Sequence, residues 1–174
     1  SALSEKAVLV CFYKVLAADS EFWHNSLKNI IPVFPKYNSQ IIDARFSKEG
    51  NMIYGFLADN SVKIWSLDGK EILSLDSFNS PIINVQLADN CNFIAVICKD
   101  SSLNVFNKRG IFQFKSRTNY NLRNTKDIAR FTKDNKYLIA LHPDYDAVLY
   151  DLTGKIKQKF KIHQANVNGI SISP

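Results

Sequence analysis

Cysteine is scarce in this 174-residue chain, which has only Cys11, Cys91 and Cys98, an odd number with no CxxC spacing. That is too few for a disulfide framework and points to a reducing, cytoplasmic setting. Three histidines with no HxxxH pair offer no zinc site, and neither a metal nor a cofactor is expected. Six glycines leave no GxGxxG and no Walker-type loop; "SLDGK", residues 66–70, is a hairpin turn rather than a phosphate cradle. Nor is there a long apolar run. "AVLVCFYKVLAA", residues 7–18, is interrupted by Lys14 and falls well short of the ~20 residues a membrane helix needs. The preceding "SALSEK" lacks the positive leader of a signal peptide. What is present is globular: 46% hydrophobic and 12% aromatic residues, over a length that suits one domain or one domain with an appendage.

The sequence aligns with itself in three copies, residues 41–75, 82–114 and 126–160. Phe46, Leu87 and Phe131 recur at intervals of 41 and 44 residues, and Trp65, Phe106 and Tyr150 repeat the same intervals. So do Asp59, Asp100 and Asp144. Three landmarks in one register make this a repeat architecture.

Each copy holds four short runs of strand character. In the first copy they are residues 41–46, 52–57, 62–67 and 71–75, separated by "SKEGN", "ADNS" and "DG". These separators are rich in the Gly, Asn, Asp and Ser that tight turns favour. Hairpin-length turns between strands of five or six residues predict an antiparallel meander. The second runs, "MIYGFL", "FIAVIC" and "YLIALH", are almost wholly apolar, as when both faces of a sheet are covered. The fourth alternates: in "KIKQKFK" Lys155, Lys157, Lys159 and Lys161 fall on one face, and Ile156, Gln158 and Phe160 on the other. Four-stranded units with buried faces and a charged outer edge are blades that stack on one another.

"FSKEGNMIYGFLADNSVKIWSLDGK" resembles the WD-repeat β-propellers, whose repeats place an Asp-containing turn shortly before a strand that ends in Trp-Asp. Asp59, Asp100 and Asp144 each lie six residues before Trp65, Phe106 and Tyr150. The tryptophan survives once, and the Asp after it only as Asp151. Tyr37, Phe78 and Leu122 stand where the family has Gly-His, and His163 alone matches that histidine. The resemblance covers residues 41–174 and implies a mainly β chain of WD-like blades, at about 38–78, 79–121 and 122–162. Residues 163–174 then read as the first strand of a further blade, with Val167, Ile170 and Ile172 continuing the pattern and the blade set incomplete. Residues 1–37 read as a helical lead-in, with Val8, Cys11, Phe12 and Val15 on one stripe and Trp23, Leu27, Ile30 and Ile31 on another. A degenerate blade is the rival reading of that segment.

No catalytic constellation emerges, and an enzyme is not expected. "HPDYD", residues 142–146, resembles an acid–base cluster in isolation, but the repeat makes Asp144 a turn residue expected to bond local backbone N–H groups. Charge is the one asymmetry. Residues 1–107 hold nine Lys/Arg and eleven Asp/Glu, and residues 108–174 hold thirteen and five. A basic half attracts polyanions such as nucleic acid, with Arg117, Arg123, Lys155, Lys157, Lys159 and Lys161 as candidate ligands. Lysines on an outer strand also serve simply to discourage edge pairing. The leading expectation is a non-catalytic interaction scaffold or sensor within a larger WD-repeat protein. Its partners would be other proteins or further blades, including association through open blade faces; polyanion binding is the alternative.

Overall fold

The computed structural model describes residues 35, 37–76, 78–119, 128–161, 167 and 169–172. The expected N-terminal helices, Arg123 and His163 lie outside the described residues. The chain divides into two compact units, Ser1–Ser77 and Phe78–Pro174.

The first unit contains one sheet of β1 (Ile41–Phe46), β2 (Met52–Leu57), β3 (Val62–Ser66) and β4 (Glu71–Leu75), antiparallel in sequence order. The second contains two more: β5 (Ile82–Leu87), β6 (Phe93–Cys98), β7 (Ser102–Asn107) and β8 (Phe112–Arg117), then β9 (Ala129–Phe131), β10 (Tyr137–His142), β11 (Tyr145–Asp151) and β12 (Ile156–Phe160). Among the described residues there is no helix. The meander read from the repeat is the observed topology.

Turn geometry repeats as faithfully as the strands. The left-handed position of the first turn is held by Gly50, Cys91 and Asn135, with φ of 69°, 58° and 56°. In the third turn it is held by Gly69, Gly110 and Gly154, with φ of 88°, 77° and 89°. A left-handed residue closes each of these six hairpins, and glycine enters that region without a Cβ clash. Each third turn is followed by the same slip in register, at Ile64/Trp65, Val105/Phe106 and Leu149/Tyr150. Ile72, Gln113 and Lys157 are therefore left without a residue opposite them. The slip explains why Ile72 is half exposed, and why the strict two-face alternation expected of residues 155–161 ends at Lys157.

The core of the second unit lies between its two sheets. Ala95, Ile97, Leu103, Val105 and Phe114 meet Ile128, Ala129, Leu138, Ala140, Val148 and Tyr150. Tight complementarity extends to a turn: a Cβ on Gly154 would come within 2.6 Å of Phe114 Cβ and Cγ. On the far face of the β9–β12 sheet, Val167 and Ile170 pack with Leu141, Ala147, Ile139 and Phe160. The expected first strand in residues 163–174 forms no ladder among its described residues.

Candidate functional site

The three aromatic landmarks close each blade in three different ways. Trp65, fully buried, donates its indole N–H to the Tyr37 hydroxyl at 2.7 Å, and that hydroxyl donates to Glu71 Oε2 at 2.5 Å. A phenol oxygen can both accept the indole proton and donate its own, as it does here. Burial first, then the bond to Glu71, pushes the Tyr37 phenol up to about 12. Lys63 completes the group, with Nζ 2.6 Å from Ser74 Oγ, 3.4 Å from Asp76 and 5.6 Å from the Tyr37 ring centroid. In the second blade Phe106 packs edge-on against Phe78 and Phe112, at 5.8 and 5.7 Å between ring centroids. In the third, the Tyr150 and Ser116 hydroxyls lie 2.8 Å apart, and the Tyr150 ring is 5.5 Å from that of Phe114.

The recurring aspartates serve their own turns in two copies. Asp59 Oδ1 accepts from the Ser61 N–H and hydroxyl at 3.0 and 2.7 Å, and Asp100 Oδ1 accepts from the Ser102 N–H at 3.0 Å. Their backbone N–H groups donate to Ser39 and Ser80 hydroxyls, each twenty positions earlier. The third copy is built differently. Its turn is shorter, with only Pro143 and Asp144 between β10 and β11, and Asp144 N–H donates to His142 Nδ1 at 3.1 Å. The Asp144 side chain is 80% exposed and lies 3.9 Å from that nitrogen. His142 thus takes the place of a serine that stands in the loop before strand one in the other blades. Histidine next to a turn is the signal that could have found it, since a ring nitrogen accepts backbone N–H groups as a hydroxyl does.

The other turn carboxylates are engaged locally too. Asp68, Asp134 and Asp151 are held below the usual carboxylate range, first by the hydroxyls of Ser66, Thr132 and Thr153 respectively. Among the described residues no group of three His, Cys, Asp or Glu is placed to hold a metal ion. Cys98 is buried, and burial raises its thiol pKa; Cys91 is half-buried. No helix of the described residues is long and apolar enough to cross a membrane.

The candidate basic residues that are described do not form one cluster. Lys155, Lys157, Lys159 and Lys161 run in file along β12 and its flanks, all exposed, with Lys157 Nζ 3.9 Å from Asp151. Arg117 ends β8, opposite Ser102. Lys159 alone turns back onto the sheet, with Nζ 3.0 Å from the Tyr145 hydroxyl and 4.7 Å from its ring centroid.

These sheets, turns and register slips define a class: the fold is that of WD-repeat β-propeller blades. Among solved structures the chain is similar to the C-terminal WD40 domain of Sif2, with a TM-score of 0.65 and 14% identity. The match covers 81% of this chain and 40% of that one, so the chain spans well under half the length of that domain. No family model and no curated protein matches the sequence.

Proposed function

We propose that the chain is a non-catalytic protein-interaction module, a set of WD-like blades acting as scaffold or sensor within a larger intracellular protein. The observation that carries this lies at the outer strands. Ile72, Ile111, Phe112 and Ile156 are about half exposed, on a frame whose turn carboxylates mostly brace their own turns. Apolar side chains held in water on a rigid sheet gain by burial against another protein. The fold supplies loops and edges and implies no reaction. The free thiols of Cys91 and Cys98 suit a reducing compartment.

The test is saturable binding of a purified protein partner, first identified by crosslinking to the whole chain. The double variant Ile111→Ser, Ile156→Ser, at two half-exposed positions with no ring contact, should weaken that binding roughly 10-fold or more with little change in melting temperature. Unchanged affinity in a folded double variant refutes the role assigned to the outer strands.

A further inference from the structure

At one end of the second unit the chain leaving β8 runs beside the end of β10. Thr118 N–H donates to the Ser101 carbonyl at 2.8 Å and Asn119 N–H to the Leu141 carbonyl at 3.4 Å. Arg117 is thereby carried to the neighbourhood of His142. From the other side, the pairing of Val148 with Lys159 brings Lys159 to Tyr145, whose ring is 5.4 Å from that of His142.

His142, Tyr145 and Lys159 adjoin one another, and Arg117, two residues before the Asn119–Leu141 bond, lies close enough for its charge to act on the His142 ring. Because His142 Nδ1 accepts the Asp144 N–H, the neutral ring carries its proton on Nε2, which is a donor. The Tyr145 hydroxyl accepts from Lys159 and keeps its own hydrogen to donate. Arg117 and Lys159 add charged donors, and among the described residues neither makes an ion pair with a carboxylate. Burial foremost, and then Lys159 and Arg117, hold the His142 imidazole below its ordinary value, against Asp144, which favours the charged form.

We propose that Arg117, His142, Tyr145 and Lys159 form a binding site for a phosphomonoester, as carried by a phosphorylated serine or threonine of a protein partner. The site presupposes the protein-interaction role proposed above and names what one such partner presents. A phosphomonoester brings a charge of about −1.5 to −2 and three acceptor oxygens near neutral pH, which answers two cations and two neutral donors. Nucleic acid fits less well. The lysines of residues 155–161 are strung over about 20 Å of extended strand, Lys157 lies beside Asp151, and the exposed Asp144 carboxylate stands next to the cluster. A phosphodiester track would meet both of these carboxylates, whereas a single phosphate has only that of Asp144 beside it, set against two cations and two neutral donors.

The experiment follows the His142 ring by proton NMR in the whole chain, assigned with His142→Gln, during titration with O-phosphoserine at constant ionic strength. The expected result is a saturable shift of the His142 resonances and a rise in its titration midpoint, because a bound dianion favours the imidazolium. Arg117→Gln and Lys159→Gln should each weaken binding roughly 10-fold, Arg117→Lys should restore part of it, and Lys155→Gln should leave it unchanged. Serine and added chloride should produce no saturable shift. The proposal is overturned if phosphoserine acts no differently from chloride, or if Lys155→Gln weakens binding as much as Lys159→Gln. It is also overturned if an oligothymidylate occupies the cluster more tightly than phosphoserine at physiological salt. A partner that still binds after phosphatase treatment removes the phosphate site and leaves the protein-interaction role intact. Loss of partner binding in the outer-strand variant, with the phosphoserine shift intact, separates the two in the opposite sense.

Discussion

Replacing Gly154 with alanine separates a local backbone demand from a tertiary one. Gly69, Gly110 and Gly154 occupy the same point of the third turn, with φ between 77° and 89°. A Cβ there collides with the chain's own carbonyl, at about 1–2 kcal/mol in each case. Gly154 carries a second demand. Its added Cβ would lie 2.6 Å from both Cβ and Cγ of Phe114 and 3.1 Å from Cδ2. The Phe114 ring has little room to retreat, being 9% exposed and packed on Tyr150. Overpacking of this kind adds about 1–3 kcal/mol, so Gly154→Ala should destabilise the second unit by roughly 2–5 kcal/mol. Gly110→Ala should show the backbone part alone, about 1–2 kcal/mol. Urea unfolding followed by circular dichroism, with amide exchange of β11 and β12 to localise the loss, reads both. If Gly154→Ala and Gly110→Ala destabilise equally, the turn is not wedged against Phe114 and the packing account fails.

Gly55→Ala places a Cβ 2.2 Å from the Asp43 carbonyl oxygen, forcing β1 from β2; a loss of roughly 1–3 kcal/mol or more should appear as faster amide exchange in that pair. Asp100→Ala should lower stability by about 1 kcal/mol, whereas Asp144→Ala, whose carboxylate braces nothing in its turn, should stay within about 0.5 kcal/mol; equal losses in urea titrations would contradict the difference between the two turns. Tyr37→Phe should change the alkaline limb of stability. Folding lifts this phenol from 10.0 to about 12, so the folded state keeps a proton that the unfolded chain releases. The contribution is complete below pH 10 and is lost as pH rises through about 12. Thermal melts across that window should fall more gently for the phenylalanine variant than for the parent, and parallel curves would refute the assignment.

Much of the frame was legible because it is written locally. The turn residues "EGN", "DNS" and "LDG" announce their backbone shapes within four or five positions, and the apolar second strands announce burial on both faces. The copies at 41 and 44 residues then align these signals without reference to anything distant. The candidate site was less legible. Arg117 and Lys159 were visible as charge, but charge along a strand does not say which lysine turns inward; the Val148–Lys159 pairing and the Tyr145 ring decided that. Asp144 kept the sequence position of Asp59 and Asp100 without their carboxylate bonding, and its backbone N–H goes to His142 where theirs go to Ser39 and Ser80. Tyr37 was legible as the residue standing where the resemblance has Gly-His, but its bonds to Trp65 and Glu71 were visible only in the structure.

The sequence by itself determined three four-stranded blades, their order and their turns, since each depends on residues a few positions apart. The tertiary structure alone decided which side chains share a neighbourhood. It wedged Gly154 against Phe114, linked Tyr150 to Ser116, and gathered Arg117, His142, Tyr145 and Lys159 at one end of the second unit. Those meetings join residues up to some forty positions apart, where register and packing, not local preference, set the distance.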